Sequence, residues 1–335
     1  MIKKYPAPHI RKEMNISLIY LHVLLALLPC AAAAVYYYGI RALLMLFAGM
    51  GSYAASDYLF IRFVRHEKYV WDASALVSGA ILTLILPPTV PVWILLTGVL
   101  FASVIVKQCF GGLGCTLFNP ALAARAFLTL AFPFWVSAYT EPLTGIWTVK
   151  TLLFGPVDAI SSATPGSGGN ALLFELFSGR YPGAIGETCA FSIIIGGLYL
   201  FSQGILRMQA PLAYLAVMLA GYWAAAGGNG TISGMLYSIL TGGVLFCAAF
   251  TLGDYATTPT TSSGKVMFGA GTALLTLLIR QYGNTAFAVG FAVLAMNAVT
   301  PILDFYIRPR IYSMPSWFSG GKKTAGLLLK GDKRV

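Results

Sequence analysis

From Ser17 to Tyr38 the chain runs without a single Asp, Glu, Lys or Arg. A helix of about 20 apolar residues is what crosses the hydrocarbon core of a bilayer. A helix also satisfies all its backbone groups internally, so such a run reads as a membrane span. Comparable runs follow at 41–61, 73–86, 91–109, 116–134, 184–202, 209–226, 235–253, 266–280 and 284–307. That gives about ten spans, with the third and ninth short enough to be tilted, broken or partly re-entrant. Of the 335 residues 58% are hydrophobic and 10% charged, where a soluble domain carries about a quarter charged. The predicted class is an all-α polytopic membrane protein. It divides into an N-terminal membrane repeat (1–134), a polar loop (135–182), a C-terminal membrane repeat (183–310) and a basic tail (311–335).

A net charge of +11 would suggest nucleic acid in a soluble chain. Here it fits basic segments on the cytoplasmic face of a membrane, and no nucleic-acid partner is expected. With the N-terminus inside, that face receives Lys3, Lys4, Arg11, Lys12, Arg62, Arg65, Lys68, Lys107, Arg207, Lys265, Arg308 and Arg310, and the tail lysines with Arg334. The other face keeps Arg41, Lys150, Arg180 and Arg280. Both termini are therefore expected in the cytoplasm and the 135–182 loop outside it. No cleavage site stands out after the basic N-terminus, so the first span is expected to act as its own insertion signal. A cysteine placed within 166–169 should react with impermeant thiol reagents in outer-permeabilised cells. One placed within 322–333 should react only after the inner membrane is opened, and reversed labelling would overturn the orientation.

A short internal repeat runs through the apolar segments. Leu95-Leu-Thr97-Gly98-Val-Leu-Phe101 parallels Ile239-Leu-Thr241-Gly242-Gly-Val-Leu-Phe246. Each is followed by a Gly/Pro-interrupted polar stretch, Gly111–Pro120 and Gly253–Gly264. Five spans in each half, separated by a large loop, would give the halves opposite topology. Interrupted segments at corresponding positions of two such halves point to a binding site near the membrane midplane.

The loop carries Asp158-Ala-Ile-Ser161-Ser162-Ala163-Thr164-Pro165, followed by Gly166-Ser-Gly-Gly169. Pro165 pushes Thr164 toward an extended backbone, and small neighbours leave its hydroxyl unshielded. The stretch reads as a peptide presented to another enzyme. It resembles the pattern Asp-x-x-Ser-x-Ala-Thr at which a flavin transferase attaches FMN, through its phosphate, to threonine. Ser162 stands where that pattern often has glycine, and Gly166 where leucine often follows the proline; neither removes the acceptor hydroxyl.

Gly111-Gly-Leu-Gly114, Phe118-Asn119-Pro120-Ala121, Gly186-Glu187-Thr188 and Met296-Asn297 with Pro301-x-x-Asp304 follow in order along the chain. The ordered set resembles the D subunit of the Rnf-type ion-translocating ferredoxin:NAD oxidoreductase. That family is related to the B subunit of the sodium-pumping NADH:quinone oxidoreductase. The resemblance implies a urea-channel-like fold of ten helices in two inverted five-helix repeats, in a bacterial or archaeal cytoplasmic membrane. It implies FMN on Thr164, with Asp158, Ser161 and Ala163 read by the transferase, and a second, noncovalent flavin. It also implies membrane and peripheral partner subunits that supply ferredoxin and NAD chemistry. The chain would then be a non-autonomous, electron-carrying subunit that couples electron transfer to Na+ or H+ transport. The alternatives are a urea-channel-like solute channel or transporter, and a membrane scaffold that carries no electrons.

Carboxylates in apolar segments are costly, at least about 2.5 kcal/mol at a helix centre, and mark pairs or ion paths. Asp72 and Glu187, each at the start of an apolar run, are candidates for the ion pathway. Asp57, followed by Arg62 and Arg65, reads as an interfacial residue, and Asp304 as the partner of Arg308 at i, i+4. Arg125 lies deep enough to need a flavin phosphate, a carboxylate or backbone carbonyls. Asn119 offers uncharged polar atoms to a flavin edge or a dehydrated cation. The five cysteines form no CxxC pair and read as small buried hydrophobes. His9, His22 and His66 are scattered, so no metal site is expected.

Overall fold

The computed structural model describes residues 16–67, 73–139, 142, 170–225, 231–283 and 287–307. Every element among them is a helix. In the first half these are α1 (Ile16–Tyr38), α2 (Ile40–Phe60), α3 (Ser74–Ile85), α4 (Val92–Leu100), α5 (Pro120–Ala131) and the short α6 (Pro133–Val136). After the loop come α7 (Asn170–Ser178), α8 (Ala190–Ser202), α9 (Gln209–Ala225), α10 (Ile232–Leu240), α11 (Val244–Phe246), α12 (Ser262–Tyr282) and α13 (Ala288–Tyr306). Three of them run on as π-helical turns: α2 over Ile61–Arg65, α4 over Phe101–Gln108 and α11 over Cys247–Thr251. The last two follow the Leu-Thr-Gly repeat of each half, so both copies lead into a π-helical turn, although Thr97-Gly98 lies within α4 and Thr241-Gly242 falls at a break between α10 and α11.

Each predicted span holds a helix, but length and apolarity qualify fewer of them as complete crossings. Among the described residues, four helical stretches are long and apolar enough: Ile16–Tyr38, Ile40–Arg65, Ser262–Tyr282 and Ala288–Tyr306. A fifth is the pair Ile232–Leu240 and Val244–Thr251, bent by 66° at the Thr241-Gly242-Gly243 break. The shorter apolar helices owe their ends to local chemistry. Pro87-Pro88 follows α3 and Pro133 follows α5, each lacking the amide that would continue the helix. After the π turn of α4 the chain leaves helical backbone at Gly111 and Gly112, both at positive φ. Several apolar helices of spanning length make this a multi-pass membrane protein.

Two seams join the halves, α1 against α8 and α5 against α13. A third contact is made by backbone. The amides of Ile185 and Gly186 donate to the carbonyls of Leu86 and Leu84, at 3.0 and 2.7 Å. Those carbonyls close the end of α3, where no intrahelical donor remains. The Gly-Glu-Thr stretch is thereby fastened to the first half.

Arginines that sequence placed in outer loops serve as helix fasteners. Arg41 is 1% exposed and donates to Val90 O at 3.0 Å. Half-buried Arg280 donates to the carbonyls of Ser238 (3.0 Å), Thr241 (2.8 Å) and Gly242 (3.3 Å). It satisfies the acceptors left free where α10 ends, as a basic side chain at a helix C-terminus does.

Candidate functional site

The two interrupted stretches meet. Asn119 is the N-cap of α5: its Oδ1 accepts from the amides of Ala121 and Leu122, and Pro120 follows at the first helical position. This is the arrangement that starts a helix. The other face of the same amide reaches across to the second half, where Nδ2 donates to Asp254 Oδ2 at 3.0 Å. Asp254 also accepts from Thr257 Oγ1 (3.2 Å) and from the amide of Ala256 (3.4 Å). Burial pushes its carboxyl above the ordinary aspartate range, and these donors pull it back. Asn297 is fully buried on α13; with its amide oriented to suit its neighbours, it donates to Thr257 O (3.3 Å) and accepts from Asn119 N (3.2 Å). The second interrupted stretch also ends in an N-cap, with Thr261 Oγ1 accepting from Gly264 N at 3.1 Å.

These residues form one wall of a cavity of about 620 Å³ between the halves. Apolar side chains of Tyr20, Val77, Ile81, Leu206 and Phe250 line much of it, and Asn119, Asp254, Thr258 and Thr260 supply polar atoms. Asp304 lies at its edge, accepting from Thr260 N (3.0 Å) and Thr260 Oγ1 (3.1 Å). Its partner is thus the second interrupted stretch, in its own half; Arg308 lies outside the described residues.

A second polar centre brings Arg125 and Glu187 together. Both face a cavity of about 20 Å³, room for roughly one water. Arg125 is 2% exposed; its Nη2 donates to Tyr139 Oη (3.2 Å) and Val136 O (3.4 Å), and its guanidinium lies over the Phe287 ring at 5.3 Å. Nε and Nη1 have no hydrogen-bond partner. Of the partners open from sequence, a backbone carbonyl takes Arg125 and the Glu187 carboxylate lies across the cavity; the Tyr139 hydroxyl is a partner that sequence did not suggest. Half-buried Glu187 is held from behind, where Tyr181 Oη donates to its carbonyl (3.1 Å) and to Leu240 O (3.3 Å). Its carboxylate packs on Gly243, whose φ is +71° and where an added Cβ would lie 2.5 Å from Glu187 Oε1. Only glycine meets both demands at no steric cost.

Sequence reasoning missed a third centre. Asp57, read as interfacial beside Arg62 and Arg65, is buried, and Lys107, counted with the charges of the cytoplasmic face, is its partner at 2.5 Å. The reason is register. The 91–109 span already holds Lys107, but in a regular helix Gln108 turns away from the face of Ser103 and Lys107, whereas the π-helical turn of Phe101–Gln108 buries all three. The available signal was a Lys-Gln pair inside an apolar run. Thr164, Asp158, Ser161, Ala163 and Asp72 lie outside the described residues.

The model of the NQR2, RnfD, RnfE family matches residues 4–313. A relative from Acetobacterium woodii, the D subunit of a Na(+)-translocating ferredoxin:NAD(+) oxidoreductase complex, is 37% identical over 92% of this chain and 94% of its own. One from Clostridium ljungdahlii, the D subunit of a proton-translocating ferredoxin:NAD(+) oxidoreductase complex, is 32% identical over 90% and 93%. One from Halorhodospira halophila, the D subunit of an ion-translocating oxidoreductase complex, is 34% identical over 91% and 94%.

Proposed function

The chain belongs to the NQR2, RnfD, RnfE family, and from that membership we propose that it is the membrane electron-carrier subunit of an ion-translocating redox complex. The complex couples electron transfer between ferredoxin and NAD, supplied by partner subunits, to Na+ or H+ transport. Relatives of similar identity are named for sodium and for protons, so both ions belong to the proposal. Its architecture is the ten-helix inverted repeat, with both termini cytoplasmic and the flavin loop outside.

The observation that carries the redox reading is Thr164 in its Asp-x-x-Ser-x-Ala-Thr-Pro setting, in the longest polar interruption of an apolar chain. Its hydroxyl attacks the FAD phosphate that bears the flavin half, and AMP leaves. The external transferase supplies metal and base, with Asp158, Ser161 and Ala163 as its recognition residues. FMN held there accepts and passes electrons. The ion path runs by Glu187 and Asp72.

The large cavity fits a second, noncovalent isoalloxazine. Its volume of about 620 Å³ falls within the roughly 300–1,000 Å³ of small-molecule sites, which pair apolar walls with a few placed polar groups. Asn119 would act through Asp254, fixing that carboxylate at the wall. In Thr164→Ala protein, any flavin that remains should therefore be released by denaturation. Asn119→Ala, which also removes a helix cap worth about 1 kcal/mol, should lower that released flavin severalfold and leave covalent FMN intact. Equal release from both proteins would exclude this cavity as its site. Solute flux through the chain alone in liposomes, without flavin, would favour the channel alternative.

A further inference from the structure

The Asp57–Lys107 centre has no part in that function as described, and its construction exceeds what packing requires. Lys107 Nζ lies 2.5 Å from Asp57 Oδ2 and 2.9 Å from Ser74 Oγ, and 5.9 Å from the centre of the Tyr53 ring. Asp57 Oδ1 accepts from Ser103 Oγ (2.9 Å) and Gln108 Nε2 (3.1 Å). The two charged side chains are 2% and 5% exposed. In a regular α-helix, positions 103 and 107 share a face and 108 turns away by about 100°. The wider π-helical turn of Phe101–Gln108 brings all three round the carboxylate, and such turns are frequent at functional sites.

Burying two charges costs several kcal/mol each, and an apolar pair of similar volume packs as well or better. Something other than packing is therefore served. Around Asp57 stand the oxygens of Ser103 and Ser74, and Gln108 Oε1, which is buried and without a partner. A carboxylate with hydroxyl and amide oxygens is the donor set of a hard cation. Lys107 and Ser74 also line the cavity of about 620 Å³ between the halves. The site thus has an ammonium ion in it and a water-accessible space beside it.

We propose that Asp57 is a cation-exchange site, holding either the Lys107 ammonium or a monovalent cation, Na+ or H+, drawn from the cavity. The tethered ammonium keeps the carboxylate neutralised when the mobile cation is absent. When that cation enters, Lys107 swings to the cavity wall and keeps its proton. Rotation of the Gln108 amide then turns its unpartnered oxygen to the newcomer. The inference rests on the chain being part of an ion-translocating complex, and the experiment separates the two.

The purified complex is reconstituted in proteoliposomes with wild-type, Lys107→Met, Asp57→Asn and doubly substituted protein. Covalent flavin is measured beside ²²Na+ uptake and lumenal pH. Lys107→Met removes the competitor. Where the site is free only about a tenth of the time, its removal tightens the apparent affinity for the cation about tenfold. A shift in the sodium titration identifies Na+, and a shift in the pH profile identifies H+. Asp57→Asn should abolish the cation dependence and the transport while electron transfer and covalent flavin persist. The double variant leaves no unpaired buried charge, so it should assemble even if the single ones do not. If it transports at the wild-type rate, the pair is structural and the proposal is overturned. An unchanged titration in Lys107→Met overturns it equally. Transport of neither ion by the wild-type complex would instead sink the functional reading itself.

Discussion

Thr164→Ala is expected to abolish the covalent flavin proposed for this protein, and with it electron transfer through the complex. The expectation follows from the chemistry of the acceptor. The phosphodiester needs a side-chain hydroxyl, and alanine has none, so the loss should be complete rather than graded. The bond joins phosphate to an alkyl oxygen and leaves the isoalloxazine untouched, so wild-type protein should show a fluorescent band after denaturing electrophoresis. That band should vanish in Thr164→Ala, with membrane insertion unchanged, because the apolar helices and not the polar loop drive insertion. Thr164→Ser keeps the hydroxyl and alters what the transferase must read, so its band should weaken and persist. A fluorescent band of wild-type strength in Thr164→Ala would place the flavin elsewhere.

Glu187→Gln should uncouple the complex. The amide preserves the volume beside Gly243 and removes the negative charge facing Arg125 across the small cavity. Arg125 would be left with two unpartnered nitrogens and no anion opposite. Ion transport per electron is expected to fall by about tenfold or more, equivalent to about 1.4 kcal/mol or more in the coupling step. Electron transfer and covalent FMN should remain. Gly243→Ala tests the same centre from the backbone side. Its φ of +71° costs a residue with a Cβ about 1–2 kcal/mol, and the methyl group displaces Glu187 Oε1. It should reproduce the uncoupling, and Asp72→Asn should do so as well if Asp72 shares the path. Wild-type coupling in Glu187→Gln and Asp72→Asn would remove both from it.

Much of this was legible because membranes leave few choices. Apolar runs located a helix in every predicted span, since lipid allows no other local way to pair the backbone. The interrupted stretches were visible as Gly, Pro and Thr punctuation, and Asn119 and Asp254 do meet across them. What sequence missed came from register and depth. A 3.6-residue period cannot anticipate π-helical turns, so Lys107 reads as a charge of the cytoplasmic face and Asp57 as an interfacial residue. Charge counting places arginines by side of the membrane, yet Arg41 is spent on a carbonyl of the turn before α4 and Arg280 on the carbonyls where α10 ends. Four or five of the described helices qualify as complete crossings by length and apolarity; a run of apolar residues does not show where Pro87 or Gly242 will end a helix.

The central claim, that this chain carries electrons on a flavin of its own, is tested most directly by the mass of the peptide containing Thr164. The protein is purified from a host with a working flavin transferase and from one without it. An FMN-sized increase at Thr164 in the first, absent in the second, is the predicted result. An unmodified Thr164 peptide from the transferase-containing host would contradict it.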